Sequence, residues 1–435
     1  MLAIPDFRLL LVDRLLAPFS NGFSLVGVSF AVLNVTGSTA DLSYVLAAQV
    51  SPMLVFTLVS GVFADRVRPQ WVIIAGNLAT IVGEGTFGVL MLTGHPALWA
   101  MICLEALNGI GGAMFYPASQ ALLPQIVPGA LLQEGSSISR LAMNTGQMTG
   151  AASAGLVVAA FGPGWALTLC AICMTGTIPL MLALKGGARD GRAGQDGRRP
   201  ERTGMLTELR EGWTEFRGHT WLWVTVLQFC AVMMAFNGAF LVLGPVVARA
   251  HLGGPAAWGA ITAADALGLV AGGVVSLRYA PRRPMLFVVA SGAAIAASPL
   301  ALALVLPLPV ICVVAFGLGT LIEVMMVRWT VEMATRIPPD KLARVSSYDA
   351  LGSMAAMPIG ALAAGPLAAA IGVSATQFAA AAVIVIASAL ALLARDIWTI
   401  RGDDRGRGGR GAGGPGVAGE PGATPQPEPV PSVPL

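Results

Sequence analysis

The sequence predicts an all-α membrane protein of twelve transmembrane helices in two pseudo-symmetric six-helix bundles. Three observations predict it. Apolar residues fall in blocks near the roughly 20 residues that a helix needs to cross a bilayer. Hydrophobic residues make up 55% of the 435 and charged residues only 11%, too few to cover a water-soluble surface. The chain also repeats itself at a shift of roughly 210 residues. Helices satisfy their own backbone hydrogen bonds in lipid, and the alternation that a membrane β-barrel requires is missing.

The first six spans read as Leu15–Val35, Asp41–Ala64, Trp71–Leu92, Leu98–Leu122, Ser137–Phe161 and Trp165–Leu184. The second six read as Leu222–Ala248, Ala256–Leu277, Met285–Leu306, Val310–Val331, Ser346–Ile371 and Ser374–Ala394. Basic residues divide the loops into two sets. Arg8, Arg14, Arg66, Arg68, Arg140, the 189–217 stretch, Arg278, Arg282, Arg283, Arg336, Lys341, Arg344, Arg395 and Arg401 fall on one side. Five loops of the other side, such as Thr93–Ala97 and Pro307–Pro309, carry no Lys or Arg, and Arg249 is the exception. Cytoplasmic loops keep positive charge, so both termini are expected in the cytoplasm of a bacterial-type inner or plasma membrane. The net charge of +3 describes this topology and gives no nucleic-acid surface. No cleavable signal is evident, because Asp6, Arg8, Asp13 and Arg14 interrupt the N-terminus. The five cysteines all fall inside spans, where a disulfide framework is not expected.

The domain reading follows: residues 1–185 form the first bundle, 186–219 a linker, 220–396 the second bundle and 397–435 a disordered tail. Within the linker, Leu206, Leu209, Trp213 and Phe216 make one helical face and predict a short helix on the membrane surface. The repeat places Pro128 on Pro338, Ser136–Ser137 on Ser346–Ser347, Gly150 on Gly360, Gly155 on Gly365 and Gly162 on Gly372.

The charged turn Gly61–Val62–Phe63–Ala64–Asp65–Arg66–Val67–Arg68 lies between the second and third spans. It resembles the signature loop of the major facilitator superfamily: Gly, three residues, Asp-Arg, then further basic residues. Val35–Ser38, Phe115–Ala118 and Ala121–Pro124 look like the drug and siderophore exporter branch, and the likeness runs from Phe7 to Arg395. The chain departs from that branch at Asn21, where Asp is common, at Glu105, where Arg is common, and at Ala151, which follows Gly150 where the antiporter signature has Pro. The resemblance implies the major facilitator fold, with parallel halves around a central site. It also implies that Gly61, Asp65, Arg66 and Arg68 form a gate loop, with Asp65 facing the start of the eleventh helix.

Charges inside a bilayer are costly and mark function by default. Glu105, Asp265 and Glu323 are therefore candidates for proton coupling or substrate contact. Gly109, Gly112 and Tyr116 follow Glu105 at helical spacing and, with Asn144, Gln228 and Asn237, are expected to line the cavity. Gln147 is a further hydrogen-bonding candidate, although glue between helices is an equal reading for such residues. Glu84 reads as structural, on a span that the resemblance makes peripheral. Arg328, Glu332 and Arg336 read as an i, i+4 pairing stripe. No phosphate-binding loop, His-pair metal motif or nucleophile–base set is present, so no catalytic or metal residue and no cofactor is expected. The expected function is proton-gradient-driven efflux of a small amphipathic molecule by a monomer in the lipid bilayer. The alternatives are uptake through the same fold, or a receptor or scaffold that does not transport.

Overall fold

The computed structural model describes residues 4–64, 68–94, 96–128, 131–184, 213–279 and 281–400. The described residues form helices and connecting turns. The first half holds α1 (Pro5–Thr36), α2 (Thr39–Ala64), α3 (Pro69–Thr93), α4 (Leu98–Ile126), α5 (Leu132–Phe161) and α6 (Pro163–Ala183). The second holds α7 (Thr220–Leu252), α8 (Pro255–Ser276), α9 (Pro284–Ala303), α10 (Leu308–Arg336), α11 (Pro339–Met354, continued by Met357–Ile371) and α12 (Val373–Ala391).

Eleven of these helices are long and apolar enough to span a bilayer. The twelfth is α5, whose 30 residues extend about 45 Å at 1.5 Å per residue. Its hydropathy is diluted by Arg140, Asn144, Thr145, Gln147 and Thr149. Twelve crossings put residues 4 and 400 at one face of the molecule, called here the terminal face.

α1 begins ten residues before the span read from the sequence. Asp13 and Arg14 do not interrupt it, because both are buried inside the bundle. Arg14 Nη2 donates to the Ser119 carbonyl of α4 at 2.5 Å, and its Nη1 lies 3.3 Å from Met143 Sδ of α5. The tail also starts later than 397. Ile397 is fully buried on the short helix α13 (Arg395–Thr399), and residues 401–435 lie outside the described structure.

The glycines matched by the repeat occupy equivalent crossings. A Cβ on Gly150 would stand 2.1 Å from the Phe19 carbonyl, where α5 crosses α1; on Gly360 it would stand 1.9 Å from the Met234 carbonyl, where α11 crosses α7. A Cβ on Gly155 of α5 would stand 2.8 and 2.9 Å from Pro255 and Gly259 of α8, and one on Gly365 of α11 would stand 2.5 and 2.3 Å from Thr39 and Ser43 of α2. The first pair knits each half and the second joins the two halves. Backbones approach this closely only where a side chain is absent. Gly162 and Gly372, which end α5 and α11, share a φ of +91° and +90°.

The cores divide in the same way. Toward the face opposite the termini, the halves share two apolar clusters. Phe23, Phe30 and Val158 pack with Phe240, Trp258 and Ile261 in one, and Val32, Leu42 and Leu46 with Val242 and Ala364 in the other. Toward the terminal face the clusters are separate. Phe7, Leu10, Ile73 and Leu122 belong to the first half, and Leu222, Met285, Trp329 and Ile397 to the second. Arg249 adds a pin at the opposite face by donating from α7 to the Leu33 carbonyl of α1. That carbonyl is among the last four of its helix, where it also accepts from the capping Gly37 N–H at 3.1 Å, so the cation meets the negative end of the helix dipole. This accounts for the one Arg on a side whose loops otherwise carry no Lys or Arg.

Of the linker helix, only residues 213–218 fall within the described structure, and they are helical. Trp213 and Phe216 stack on each other and on Tyr348 of α11, with ring centroids 5.6 to 6.0 Å apart. Glu215 accepts from Lys341 Nζ at 2.8 Å. That hydrogen bond holds the Glu215 carboxyl below its ordinary range.

Candidate functional site

Between the halves lies a cavity of about 540 Å³. Asn21 and Ser24 of α1, Gln49 and Met53 of α2, and Asn77 and Thr80 of α3 line it. So do Asn108, Gly109, Gly112 and Phe115 of α4, Met143, Asn144 and Gln147 of α5, Met174 of α6, Asn237 of α7, and Met354 and Met357 of α11. On α1 the lining stops at Val28, about 12 Å short of the helix end at Thr36 at 1.5 Å per residue. The cavity therefore sits below the shared cores, at mid-bilayer and toward the terminal face.

Helix periodicity explains which side chains arrive there. Arg140, Met143, Asn144 and Gln147 lie at i, i+3, i+4 and i+7 on α5, so one stripe runs from the terminal side into the cavity. Asn237 begins a π-helical stretch, Asn237–Val242, inside α7. The wider turn leaves the α-helical ladder and aims Asn237 and Leu241 inward. Gly112 opens directly on the cavity, with nothing within 4 Å of a Cβ placed there. Gly109 also lines it, yet its Cβ would stand 2.0 Å from the Gln49 carbonyl, so it is there to let α4 lie against α2. The Tyr116 side chain lies outside the described residues, as do Asp65 and Arg66. Gly61 falls within α2, and Arg68 is exposed at the start of α3.

Glu105 does not face the cavity. It is fully buried behind the cavity wall and meets Glu84, which the sequence reading set aside as peripheral. The two carboxyls share one amide. Asn108 Nδ2 donates to Glu84 Oε1 at 2.7 Å and lies 3.3 Å from Glu105 Oε2. Ser24 Oγ donates to Glu84 Oε1, and Thr80 Oγ1 donates to Asn108 Oδ1 at 3.1 Å. Glu84 Oε2 and Glu105 Oε1 have no hydrogen-bond partner among the described residues. A charge at the bilayer centre costs about 3 kcal/mol or more. A hydrogen bond to a charged group returns about 1.5–3 kcal/mol. With donors to one oxygen of each carboxyl only, the cluster offsets that cost in part. Ser24 and Asn108 touch both the pair and the cavity.

The other acidic candidates lie elsewhere. Glu323 of α10 accepts from Arg140 Nη1 of α5 at 3.0 Å, an ion pair that joins the halves on the terminal side of the cavity. Asp265 is half-buried on α8 and does not line the cavity. Gln228 is not a lining residue either: its Nε2 donates to the Val289 carbonyl and to Ser388 Oγ, both at 2.9 Å, and ties α7 to α9 and α12. On α10 the stripe also reaches α8. Arg336 bonds Glu332 at 2.8 Å, whereas Arg328 donates to the carbonyls of Ser276 and Tyr279 at the end of α8.

Sequence reasoning missed Gln49, Met53, Asn77, Thr80 and Asn108. A signal was available: Asn77, Thr80 and Glu84 form a polar i, i+3, i+7 stripe on α3, and Glu105 and Asn108 form one on α4. A Cβ on Gly76 would stand 2.7 Å from the Gly111 carbonyl, and one on Gly111 2.6 Å from the Gly76 carbonyl, so this glycine pair lets the two stripes come together.

Comparison with known proteins agrees with this architecture. The chain is 27% identical over 390 residues to the multidrug efflux pump Tap of Mycolicibacterium fortuitum, covering 85% of this chain and 91% of Tap. It is 26% identical over 180 residues to the enterobactin exporter EntS of Salmonella choleraesuis strain SC-B67, covering 41% and 43% of the two chains. Among solved structures, a POT family transporter in complex with a thioalcohol-conjugated peptide superposes with a TM-score of 0.72 at 12% identity, over 91% of this chain and 96% of that one. A bacterial homologue of the lysosomal transporter Spinster, inward-facing and unoccupied, superposes with a TM-score of 0.66 at 16% identity, over 90% and 98%. The profile of the Major Facilitator Superfamily matches residues 15–347, so this integral membrane protein belongs to that family of transporters.

Proposed function

We propose that the protein is a secondary active exporter that moves a small amphipathic molecule out of the cell by alternating access, driven by proton entry. The observation that carries this reading is the mid-bilayer cavity, with the cores of the two halves fused on one side of it and separate on the other. Basic residues concentrate on the terminal face, which supports reading that face as cytoplasmic and the conformation as inward-facing. Export requires loading from that side, and Tap and EntS are named as an efflux pump and an exporter. Proton coupling rests on the Glu84–Glu105 pair, with Asp265 and Glu323 as further titratable groups. The gate loop around Asp65 and Arg66 would close against α11 in the other state. The protein acts as a monomer, each chain holding its own cavity.

A toxicity and efflux panel in cells lacking their own pumps tests the reading. Accumulation of at least one amphipathic compound should fall on expression and recover with a protonophore. Protonophore-insensitive efflux removes the coupling, accumulation above the control makes the protein an importer, and no change across the panel leaves a receptor or scaffold.

A further inference from the structure

We propose that the cavity selects uncharged amphipathic ligands and excludes permanent cations and anions of similar size. This rests on the transporter reading above and names its substrate class. Seven carboxamides reach the cavity from both halves: Asn21, Gln49, Asn77, Asn108, Asn144, Gln147 and Asn237. Each can donate and accept hydrogen bonds while carrying no net charge. Among the described residues that line the cavity there is no Asp, Glu, Lys, Arg or His. The side chains of α2 and α4 outside the described set, residues 57–64, 116, 117, 120 and 121, are uncharged in the sequence as well.

The charges nearby are bonded or stand behind the wall: Arg14 donates to the Ser119 carbonyl and lies 3.3 Å from Met143, and Asp349 accepts from Trp329 Nε1 at 3.0 Å. Arg140 stands one turn from Asn144 and is closed on Glu323 at 3.0 Å, so the pair presents no net charge to the cavity. Glu84 and Glu105 are fully buried, and Ser24 and Asn108 stand between them and the cavity. An ion entering would leave its hydration shell and meet no counter-charge. A neutral molecule exchanges water hydrogen bonds for amide ones, and its apolar part meets five methionines, Met53, Met143, Met174, Met354 and Met357. Unbranched thioether chains repack around different shapes. The volume of about 540 Å³ suits a drug-sized molecule.

The test is equilibrium binding to the purified full-length protein in nanodiscs at pH 8, with no gradient. Chloramphenicol and Nile red serve as uncharged probes, tetraphenylphosphonium as a permanent cation and salicylate as an anion. The wild type should bind at least one uncharged probe about tenfold or more tighter than either ion. Gln147→Glu, which puts a carboxylate on the cavity wall, should raise tetraphenylphosphonium affinity by about tenfold. Gln147→Leu should keep the wild-type order of charged and uncharged probes. Binding of either ion as tightly as the neutral probes overturns the proposal, and so does failure of both neutral probes to bind. Intact neutral binding without gradient-driven efflux in vesicles would remove the transport reading and leave the selectivity standing.

Discussion

Two carboxyls around one amide decide what the buried cluster can do. Glu105→Gln removes an ionisable group that has no cation beside it in the cluster, and the isosteric amide keeps the volume. We expect the variant to fold with its melting temperature within a few degrees of wild type, and gradient-driven efflux in proteoliposomes to fall by about tenfold or more. Undiminished efflux would remove Glu105 from coupling. Asn108→Ala deletes the shared donor and leaves both carboxyls poorer in partners. It should destabilise the detergent-solubilised protein by about 1–3 kcal/mol, read from thermal unfolding. Glu105 was legible in the sequence because a charge in a span is conspicuous by itself. Its partner was not, since Glu84 lies on another helix and one sequence does not say which helices touch. Arg140 was misjudged for a related reason: a basic residue near a helix end reads as topology until Glu323 is seen 3.0 Å away.

At the scale of elements, the glycine crossings set how closely helices pack. Gly150→Val and Gly360→Val would each drive a side chain into a backbone carbonyl about 2 Å from the new Cβ. Both should abolish monodisperse expression, whereas Gly112→Ala, with open space at its Cβ, should express like wild type. Size-exclusion profiles of the three variants check this. The short helix at 213–218 gives a pH prediction. The carboxyl of Glu215 is held below its ordinary range, so its contact with Lys341 contributes in full above that range and is lost as pH falls through the lowered value. Amide exchange across residues 213–219, taken relative to the intrinsic rate at each pH, should therefore accelerate in acid. Glu215→Gln should speed it a few-fold at neutral pH and flatten the pH response, the modest scale of an exposed pair. These elements were largely readable. Repeat arithmetic found the crossings at Gly150 and Gly360, and the Trp213–Phe216 periodicity found the docked face. The π-helical stretch of α7 was not readable, because it depends on how that helix packs against α11 and not on the local pattern.

For the whole molecule, twelve spans and twofold repetition were visible in composition and spacing, since lipid imposes length and uniform apolarity on every crossing. The position of the cavity was not, because it depends on which interface between the halves is closed. That closure is now defined: Gly155 against Gly259 and Gly365 against Thr39 and Ser43 at the face opposite the termini, with separate cores at the terminal face. If the halves rock about the cavity, the two faces must move in opposite senses. Spin labels on Glu134 of α5 and Thr335 of α10 report the terminal face, and labels on Trp99 of α4 and Val310 of α10 report the other; all four positions are exposed. Electron–electron distances are measured in nanodiscs, in a background with the five native cysteines replaced, from pH 6 to pH 9 and with a transported compound. Shortening of the Glu134–Thr335 distance together with lengthening of the Trp99–Val310 distance is the predicted result. Distances that stay fixed in every condition, or that lengthen at both faces at once, would contradict alternating access through this cavity.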